Sequence, residues 1–200
     1  LEELDFREIK ISLKASSVGM TVAAYRLLAR QVDYPLHLGI TEAGGLLPGA
    51  VKSAIGLGLL LAEGIGDTLR VSLTADPVEE IRVAKYILAS LGLGRFGPEI
   101  ISCPACGRTE ANIEEIVNEL YQRVFDASNG SLLERPVKLA VMGCVVNGPG
   151  EAEDADLAIA FGRNEGLIYK DAKPLRKVPF DQAVNELLKE WKLYVQRTKR

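Results

Sequence analysis

Three cysteines in two short motifs are the residues of this chain best suited to chemistry. Cys103 and Cys106 form a Cys-Pro-Ala-Cys motif, and Cys144 lies in the glycine-rich run Gly143–Glu151. Three thiolates can hold three irons of a cubane iron–sulfur cluster, but they leave the fourth iron without a cysteine. A substrate can bind at such an open iron, and the Glu151 carboxylate is a candidate to occupy it at rest. We therefore interpret the chain first as a metal enzyme.

Other chemistries remain open for these cysteines. A structural zinc site would need a fourth ligand, and the only histidine, His37, lies in the other half of the chain. A thioredoxin-like redox pair would leave Cys144 unexplained, and purely structural cysteines would leave the CxxC spacing unexplained. An iron–sulfur site accounts for more of the surroundings, because the turn Asn147–Gly150 brings backbone amides close to the ligands.

A second set of candidate residues lies on three predicted strands of the first hundred residues. Segments 8–14, 36–41 and 68–74 alternate apolar and polar residues with period two, so each strand has one polar face. Four residues on that face or directly after it are candidates for a site: Lys14, Glu42, Arg70 and Ser72. Two cations and a hydroxyl suit a phosphate or a diphosphate, whereas Glu42 would repel one, so we expect it to act as an acid or base.

Helix-length segments separate these strands, which favours parallel pairing with right-handed crossovers. The expected helices are 18–32, 48–62 and 77–91. A polar face on every strand indicates the inner surface of a (β/α) barrel, with a half-exposed antiparallel sheet as the alternative. Three strands cannot close an eight-stranded barrel, so the other strands lie outside this chain or the sheet is open.

The second half of the chain is expected to be a compact α/β domain that carries the metal ligands. Glycines at positions 92, 94 and 97 interrupt the pattern, so we divide the chain into a partial, substrate-binding barrel, residues 1–95, and a cluster-binding domain, residues 96–200. The expected elements are strand 99–103, helix 112–125, a polar linker 126–135, strand 137–142, a hairpin of 156–161 with 167–170, and helix 180–195.

Composition restricts the class of protein further. At 200 residues and 48% hydrophobic, the chain can bury a full core. The net charge is −3 with both signs interspersed, so we expect neither nucleic acid nor a membrane surface as a partner. No segment reaches the roughly 18 to 20 apolar residues of a membrane helix, and we expect a soluble, cytoplasmic protein. The chain begins at Leu1 directly before a predicted strand, which suggests a fragment of a longer protein.

Four sequence strings resemble those of a known family. They are Pro35–Gly44 (PLHLGITEAG), Glu63–Leu73 (EGIGDTLRVSL), Cys103–Arg108 (CPACGR) and Gly143–Glu151 (GCVVNGPGE). They are similar to those of 4-hydroxy-3-methylbut-2-enyl-diphosphate synthase, the iron–sulfur enzyme family of the non-mevalonate isoprenoid pathway. The resemblance runs in order over essentially the whole chain. It implies an α/β fold in which the C-terminal strands and helices of a TIM-type (β/α) barrel precede a small α/β iron–sulfur domain.

The resemblance also implies roles for individual residues. The implied ligands of a [4Fe-4S] cluster are Cys103, Cys106, Cys144 and, as a displaceable fourth ligand, Glu151. The residues implied to grip the diphosphate are Lys14, Arg70 and Ser72. The residues implied to lie near the reacting carbon and oxygen are Glu42 and Asn147. The family forms head-to-tail homodimers in which the barrel and the cluster domain of one site come from different subunits.

The implied reaction converts 2-C-methyl-D-erythritol 2,4-cyclodiphosphate to (E)-4-hydroxy-3-methylbut-2-enyl diphosphate in two one-electron steps. Ferredoxin or flavodoxin would deliver the electrons, since Gly56 and Gly58 lie in a predicted helix and make no nicotinamide-binding fingerprint. Two alternatives remain open: a hydro-lyase that uses an open-site [4Fe-4S] cluster without net electron transfer, and a zinc-binding module in the C-terminal half. His37 stays outside the predicted metal ligands.

Overall fold

The chain folds as two compact units, Leu1–Gly94 and Arg95–Arg200. Both mix helices and strands, so the α/β class expected from the sequence is confirmed. No helix among the described residues is long and apolar enough to cross a membrane. The computed structural model describes residues 1–104, 106–128, 137–146, 150 and 153–197.

The first unit alternates strands and helices. After a short 3-10 helix at Glu2–Leu4, its elements are α1 (Val18–Leu28), β1 (His37–Gly39), α2 (Leu46–Ala62), β2 (Thr68–Arg70) and α3 (Pro77–Ser90). Strands β1 and β2 pair in parallel, with Gly39 opposite Arg70. The parallel pairing predicted from the helix-length separations is therefore confirmed, and the antiparallel alternative is wrong for this pair.

The predicted strand over residues 8–14 is wrong as a regular strand. Only Ile11 makes a bridge, in parallel with Leu36. The strand does not continue because the next backbone N–H groups form hydrogen bonds with side chains of α1. The amide of Leu13 donates to the hydroxyl of Tyr25, and the amide of Ala15 donates to a side chain of the same helix α1, so neither reaches β1.

The apolar face of β1 forms the centre of the first core. Leu36, Leu38 and Ile40 are all buried, as the alternating pattern predicted. Helices α1, α2 and α3 cover this face with the buried side chains Val22, Tyr25, Leu57, Leu60, Val83 and Ile87. The third helix begins as the sequence predicted, because the carboxylate of Asp76 accepts a 2.8 Å hydrogen bond from the amide of Val78.

The elements of the second unit are β3 (Glu99–Ser102), α4 (Ile113–Ser128), β4 (Lys138–Met142), β5 (Leu157–Phe161), β6 (Glu165–Lys170), β7 (Lys173–Pro179), a 3-10 helix (Phe180–Gln182) and α5 (Ala183–Arg197). Its strands form a five-stranded mixed sheet in the order β3-β4-β5-β6-β7. The first three strands run parallel and the last two are antiparallel, so the predicted hairpin is confirmed. Helices α4 and α5 pack on one side of the sheet.

Two parts of this unit differ from what the sequence predicted: the last strand and the linker after α4. Strand β7 was not predicted, because Pro174 and Pro179 and several cations obscure its pattern; such residues are tolerated at the edge of a sheet. The predicted linker 126–135 begins within α4, and its part from residue 129 onward lies outside the described residues.

Candidate metal and anion sites

Two of the cysteines follow neighbouring parallel strands. Cys103 comes directly after β3 and Cys144 lies two residues after β4. The strands are in register, with Ser102 opposite Val141. Because the carboxyl ends of parallel strands meet at one edge of a sheet, both cysteines lie at the same edge. There the amide of Gly143 donates a 3.2 Å hydrogen bond to Sγ of Cys103.

Thr109 joins the CxxC motif to the loop that carries Cys144. Its hydroxyl accepts a 3.0 Å hydrogen bond from the Cys106 amide and lies 3.8 Å from Sγ of Cys106 as a donor. The next residue, Glu110, donates its amide to the carbonyl of Gly143 at 2.8 Å. A Cβ at Gly143 would stand 2.9 Å from Cγ2 of Thr109, so only glycine allows this approach.

The three thiols have different environments. All are free, with Cys144 buried, Cys103 partly buried and Cys106 exposed. Hydrogen bonds from the Arg108 backbone and from the Thr109 hydroxyl lower the pKa of Cys106 below its ordinary value. Thiolates are the form of cysteine that binds metals, so these donors favour the ligand form of Cys106.

The structure brings the two cysteine motifs together without closing a ligand shell. Among the described residues, no group of three or more histidine, cysteine or acidic side chains is close enough to hold a metal ion. Asn147 and Glu151 lie outside the described residues, so their assignments stay predictions. The donor chemistry nevertheless fits an iron–sulfur cluster, since the site has thiols on two loops and N–H or O–H donors directed at the sulfurs of Cys103 and Cys106.

A cluster of cations lies at the ends of β1 and β2 in the first unit. The stem of Lys14 crosses Gly39, where an added Cβ would be only 2.8 Å from Cε of Lys14 and 3.1 Å from the carbonyl oxygen of Arg70. The Lys14 ammonium also contacts the Ser12 hydroxyl. Burial, followed by the positive charges of Arg70 and Lys10, lowers the pKa of Lys14. The structure therefore brings Lys14 and Arg70 together as predicted from the polar strand faces.

His37 and Lys10 lie close to these cations, although the sequence placed both only on the polar strand faces and named neither as a site residue. Burial and the charges of Lys14, Lys10 and Arg70 lower the pKa of His37 below its ordinary value, which favours the neutral imidazole. Its Nδ1 lies 2.8 Å from the Thr68 hydroxyl. The signal that could have found Lys10 is its period-two spacing from Lys14 on the same polar face.

Among the described residues, no hydrogen bond or ion pair connects Glu42 or Ser72 to the cations. Glu42 is exposed after β1 with a φ of 51°, and Ser72 is partly buried after β2. The loops that follow the two strands do meet, because the Thr74 amide donates to the carbonyl of Gly44 at 2.9 Å. The assignments of Glu42 and Ser72 stay predictions.

These features define a class of protein: an α/β chain with a cation cluster at the strand ends of one unit and free thiols at a sheet edge of the other. Comparison with protein families gives the same division. A model of the GcpE TIM-barrel domain matches residues 1–85, and a model of the GcpE protein C-terminal domain matches residues 99–193. The chain belongs to the GcpE family, and the resemblance inferred from the four strings is confirmed.

Several curated relatives are named "4-hydroxy-3-methylbut-2-en-1-yl diphosphate synthase (flavodoxin)". The protein from Ruminiclostridium cellulolyticum is 56% identical over 190 residues, which are 95% of this chain and 52% of the relative. The protein from Geobacter sulfurreducens is 54% identical with the same coverage. The protein from Lawsonia intracellularis is 52% identical over 199 residues, 96% of this chain and 54% of the relative. The chain thus spans about half the length of the curated relatives it matches.

Proposed function

We propose that this chain supplies part of a 4-hydroxy-3-methylbut-2-enyl-diphosphate synthase. Residues 1–95 would form the last strands and helices of a TIM-type barrel that binds substrate, and residues 96–200 the iron–sulfur domain. The reaction would be the two-electron reduction of 2-C-methyl-D-erythritol 2,4-cyclodiphosphate with ring opening and loss of water. The observation that carries this proposal is the hydrogen-bonded approach of the CxxC motif to the Cys144 loop, together with relatives of that name.

Cys103, Cys106 and Cys144 would hold a [4Fe-4S] cluster, with Glu151 as the exchangeable fourth ligand. When bound, the cluster supplies single electrons and a Lewis-acidic iron for a substrate oxygen. The chain's own contribution is to orient the thiols. The Gly143 amide donates to one sulfur and the Thr109 hydroxyl to another, and hydrogen bonds of this kind tune ligand strength and potential.

The diphosphate would bind at the cation cluster. Lys14 and Arg70 repel each other in the free chain, and this repulsion contributes to the lowered pKa of Lys14. A phosphate oxygen between them would replace the repulsion by charge-assisted hydrogen bonds and restore a higher pKa. Lys10 adds charge to the same surface, and the Ser72 hydroxyl would be a further donor.

Proton transfer would fall to Glu42. Loss of a hydroxyl as water requires a proton donor, and Glu42 is the acidic residue of the loop between β1 and α2. Asn147 would orient the reacting oxygen. Flavodoxin, which the names of the relatives specify, would deliver electrons to this chain, with ferredoxin as the second candidate donor. The complete protein would work as a cytoplasmic homodimer.

A chimeric enzyme tests this function. The N-terminal half of the Ruminiclostridium cellulolyticum protein, joined to this chain in place of its own C-terminal half, should reduce the cyclodiphosphate with reduced flavodoxin. A Cys144→Ser chimera should lose turnover, because one of the three thiol ligands is gone. A chimera that folds and assembles its cluster but forms no product would overturn the proposal. Turnover without any reductant would instead support a hydro-lyase.

A further inference from the structure

Residues 11–15, which include Lys14, run beside β1. At each end this segment forms a backbone hydrogen bond with a residue that flanks β1. At the start of the segment, the amide of Ile11 donates to the carbonyl of Pro35 at 2.9 Å. At its end, the amide of Thr41 donates to the carbonyl of Ala15 at 3.1 Å. Both hydrogen bonds fit the same register of a parallel ladder. The two backbones therefore stay aligned across the residues between these bonds.

A tyrosine hydroxyl occupies the middle of this ladder. The amide of His37 donates to the carbonyl of Ile11 at 2.8 Å, and a regular parallel ladder would continue with the Leu13 amide donating to the His37 carbonyl. Instead, the Leu13 amide donates to Oη of Tyr25 at 2.9 Å, and Oη donates to the His37 carbonyl at 2.5 Å. The hydroxyl thus stands between two backbone groups that would otherwise bond directly.

Helix α1 supplies this hydroxyl from a buried position. Tyr25 is completely buried, and Thr21, one turn earlier on the same face, is 1% exposed. The Thr21 hydroxyl accepts from the Ala15 amide at 3.3 Å and donates to the Ser17 carbonyl at 2.9 Å, so it bonds to the end of the same segment. A buried tyrosine hydroxyl normally makes at least one hydrogen bond. The Tyr25 hydroxyl accepts one from the Leu13 amide and donates one to the His37 carbonyl.

The interruption lies where the Lys14 side chain passes. The His37 carbonyl that accepts from Tyr25 also accepts from the Ser12 hydroxyl at 3.0 Å, and that hydroxyl contacts the Lys14 ammonium. Cε of Lys14 lies 2.8 Å from the place where Gly39 would carry a Cβ. One carbonyl group therefore connects the buried tyrosine to the lysine of the cation cluster.

We propose that Tyr25 is a positioning residue for phosphate binding, which holds the Lys14 segment away from β1 by the width of one oxygen atom. The space so created lets the Lys14 stem cross Gly39 and places its ammonium beside Arg70. Without the hydroxyl, the Leu13 amide and the His37 carbonyl are free to bond directly, which draws the segment toward β1 and displaces Lys14. The identity of the ligand rests on the proposed function; the placement of Lys14 does not.

Nuclear magnetic resonance of the Tyr25→Phe chain tests the placement. The variant should show a scalar coupling across a new hydrogen bond from the Leu13 amide to the His37 carbonyl, and a Lys14 pKa that rises as the ammonium leaves Arg70. The unmutated chain should lack that coupling and show close contact between the Leu13 amide proton and the Tyr25 hydroxyl proton. A direct coupling between Leu13 and His37 in the unmutated chain would overturn the proposal, whether or not the variant folds.

Titration with inorganic pyrophosphate tests the consequence for binding. Tyr25→Phe should weaken binding roughly tenfold, the loss expected for one charge-assisted hydrogen bond. In a Lys14→Ala chain, the same tyrosine change should have no further effect, because Tyr25 acts through Lys14. The matched control is Tyr34→Phe, which removes a hydroxyl bonded to Glu2 and should leave affinity unchanged.

The outcomes separate the two proposals. Equal losses from Tyr25→Phe with and without Lys14 would contradict a positioning role and indicate a general structural one. If the unmutated chain binds no pyrophosphate, the diphosphate part of the proposed function fails, while the coupling and the Lys14 titration still decide the role of Tyr25.

Discussion

The amide of Gly143 donates a hydrogen bond to the sulfur of Cys103, although 40 positions separate the two residues. The parallel pairing of β3 with β4 makes this contact possible, because it places the ends of both strands at one edge. The contact holds Cys103 beside the loop that carries Cys144. A protein that presents thiols in this way loses less conformational entropy when it binds a cluster.

Gly143→Ala should disturb this arrangement. The added Cβ would stand 2.9 Å from Cγ2 of Thr109 and 3.0 Å from Cγ1 of Ile113. We expect a loss of about 1 to 3 kcal/mol in the free energy of unfolding, as for an overpacked core, and reduced iron uptake. Urea unfolding and iron analysis measure both effects. Gly107→Ala is the matched control in the CxxC motif, since its Cβ would meet nothing within 4 Å.

Gly39→Ala should act on the cation cluster in the first unit. The new methyl group would displace the flexible end of Lys14 and crowd the carbonyl of Arg70. Pyrophosphate affinity should fall roughly tenfold, since one charged donor leaves the site, as calorimetry would show. The control is Gly58→Ala, which enters open space on α2. Equal affinities for the Gly39→Ala chain and the original chain would remove Lys14 from the anion site.

The titration of His37 reports the same charges directly. Burial and the cations Lys14, Lys10 and Arg70 hold its pKa below the ordinary value. Replacing Lys14 by methionine removes one positive charge, so the imidazolium becomes less unfavourable and the pKa of His37 should rise. Added pyrophosphate should raise it as well.

His37 is the only histidine, so its ring signals in an NMR titration need no further assignment. Lys52→Met is a suitable control, because Lys52 is an exposed residue of α2 that does not contribute to the lowered pKa. If the pKa of His37 stays the same in the Lys14→Met chain, the result would contradict the closeness of Lys14 to His37.

Arg176 should stabilise the second unit by joining β7 to α5. Its guanidinium lies 2.7 Å from Glu190 and 2.5 Å from Glu186, and Glu190 is only 7% exposed. Arg176→Met would leave a largely buried carboxylate unpaired, so the free energy of unfolding should fall by about 1 to 3 kcal/mol.

The exposed pair of Lys177 on β7 with Glu165 on β6 is the comparison for Arg176. Lys177→Met should change the free energy of unfolding by less than about 1 kcal/mol, because exposed ion pairs contribute little. Equal losses for the two variants in a urea titration would show that burial of Glu190 is not what gives Arg176 its effect.

The sequence predicted the parts of the fold that depend on local pattern. Period-two alternation identified β1 and its buried face, and the expected helix 77–91 begins where α3 begins. The CxxC spacing predicts Cys103 and Cys106 as metal ligands, and this assignment stays a prediction. Each of these predictions depends on residues that are close together in the sequence and not on contacts with distant ones.

The parts that the sequence did not predict depend on distant contacts. Leu13 lies in an alternating pattern, yet its amide bonds to a helix residue twelve positions later, which no strand pattern encodes. The turn before β7 has positive φ values at Asp171 and Ala172, without the Asn-Gly signal of such hairpins. The closeness of His37 to Lys10 likewise follows only from the pairing of the segments that carry them.

The proposed function requires that Cys103, Cys106 and Cys144 hold a [4Fe-4S] cluster. Anaerobic reconstitution of this chain with iron and sulfide, followed by metal analysis and electron paramagnetic resonance of the reduced sample, tests it most directly. We expect about four irons and four sulfides per chain, a low-temperature signal of a reduced cubane, and loss of both in Cys144→Ser. One bound zinc per chain, with no cluster formed under these conditions, would contradict it.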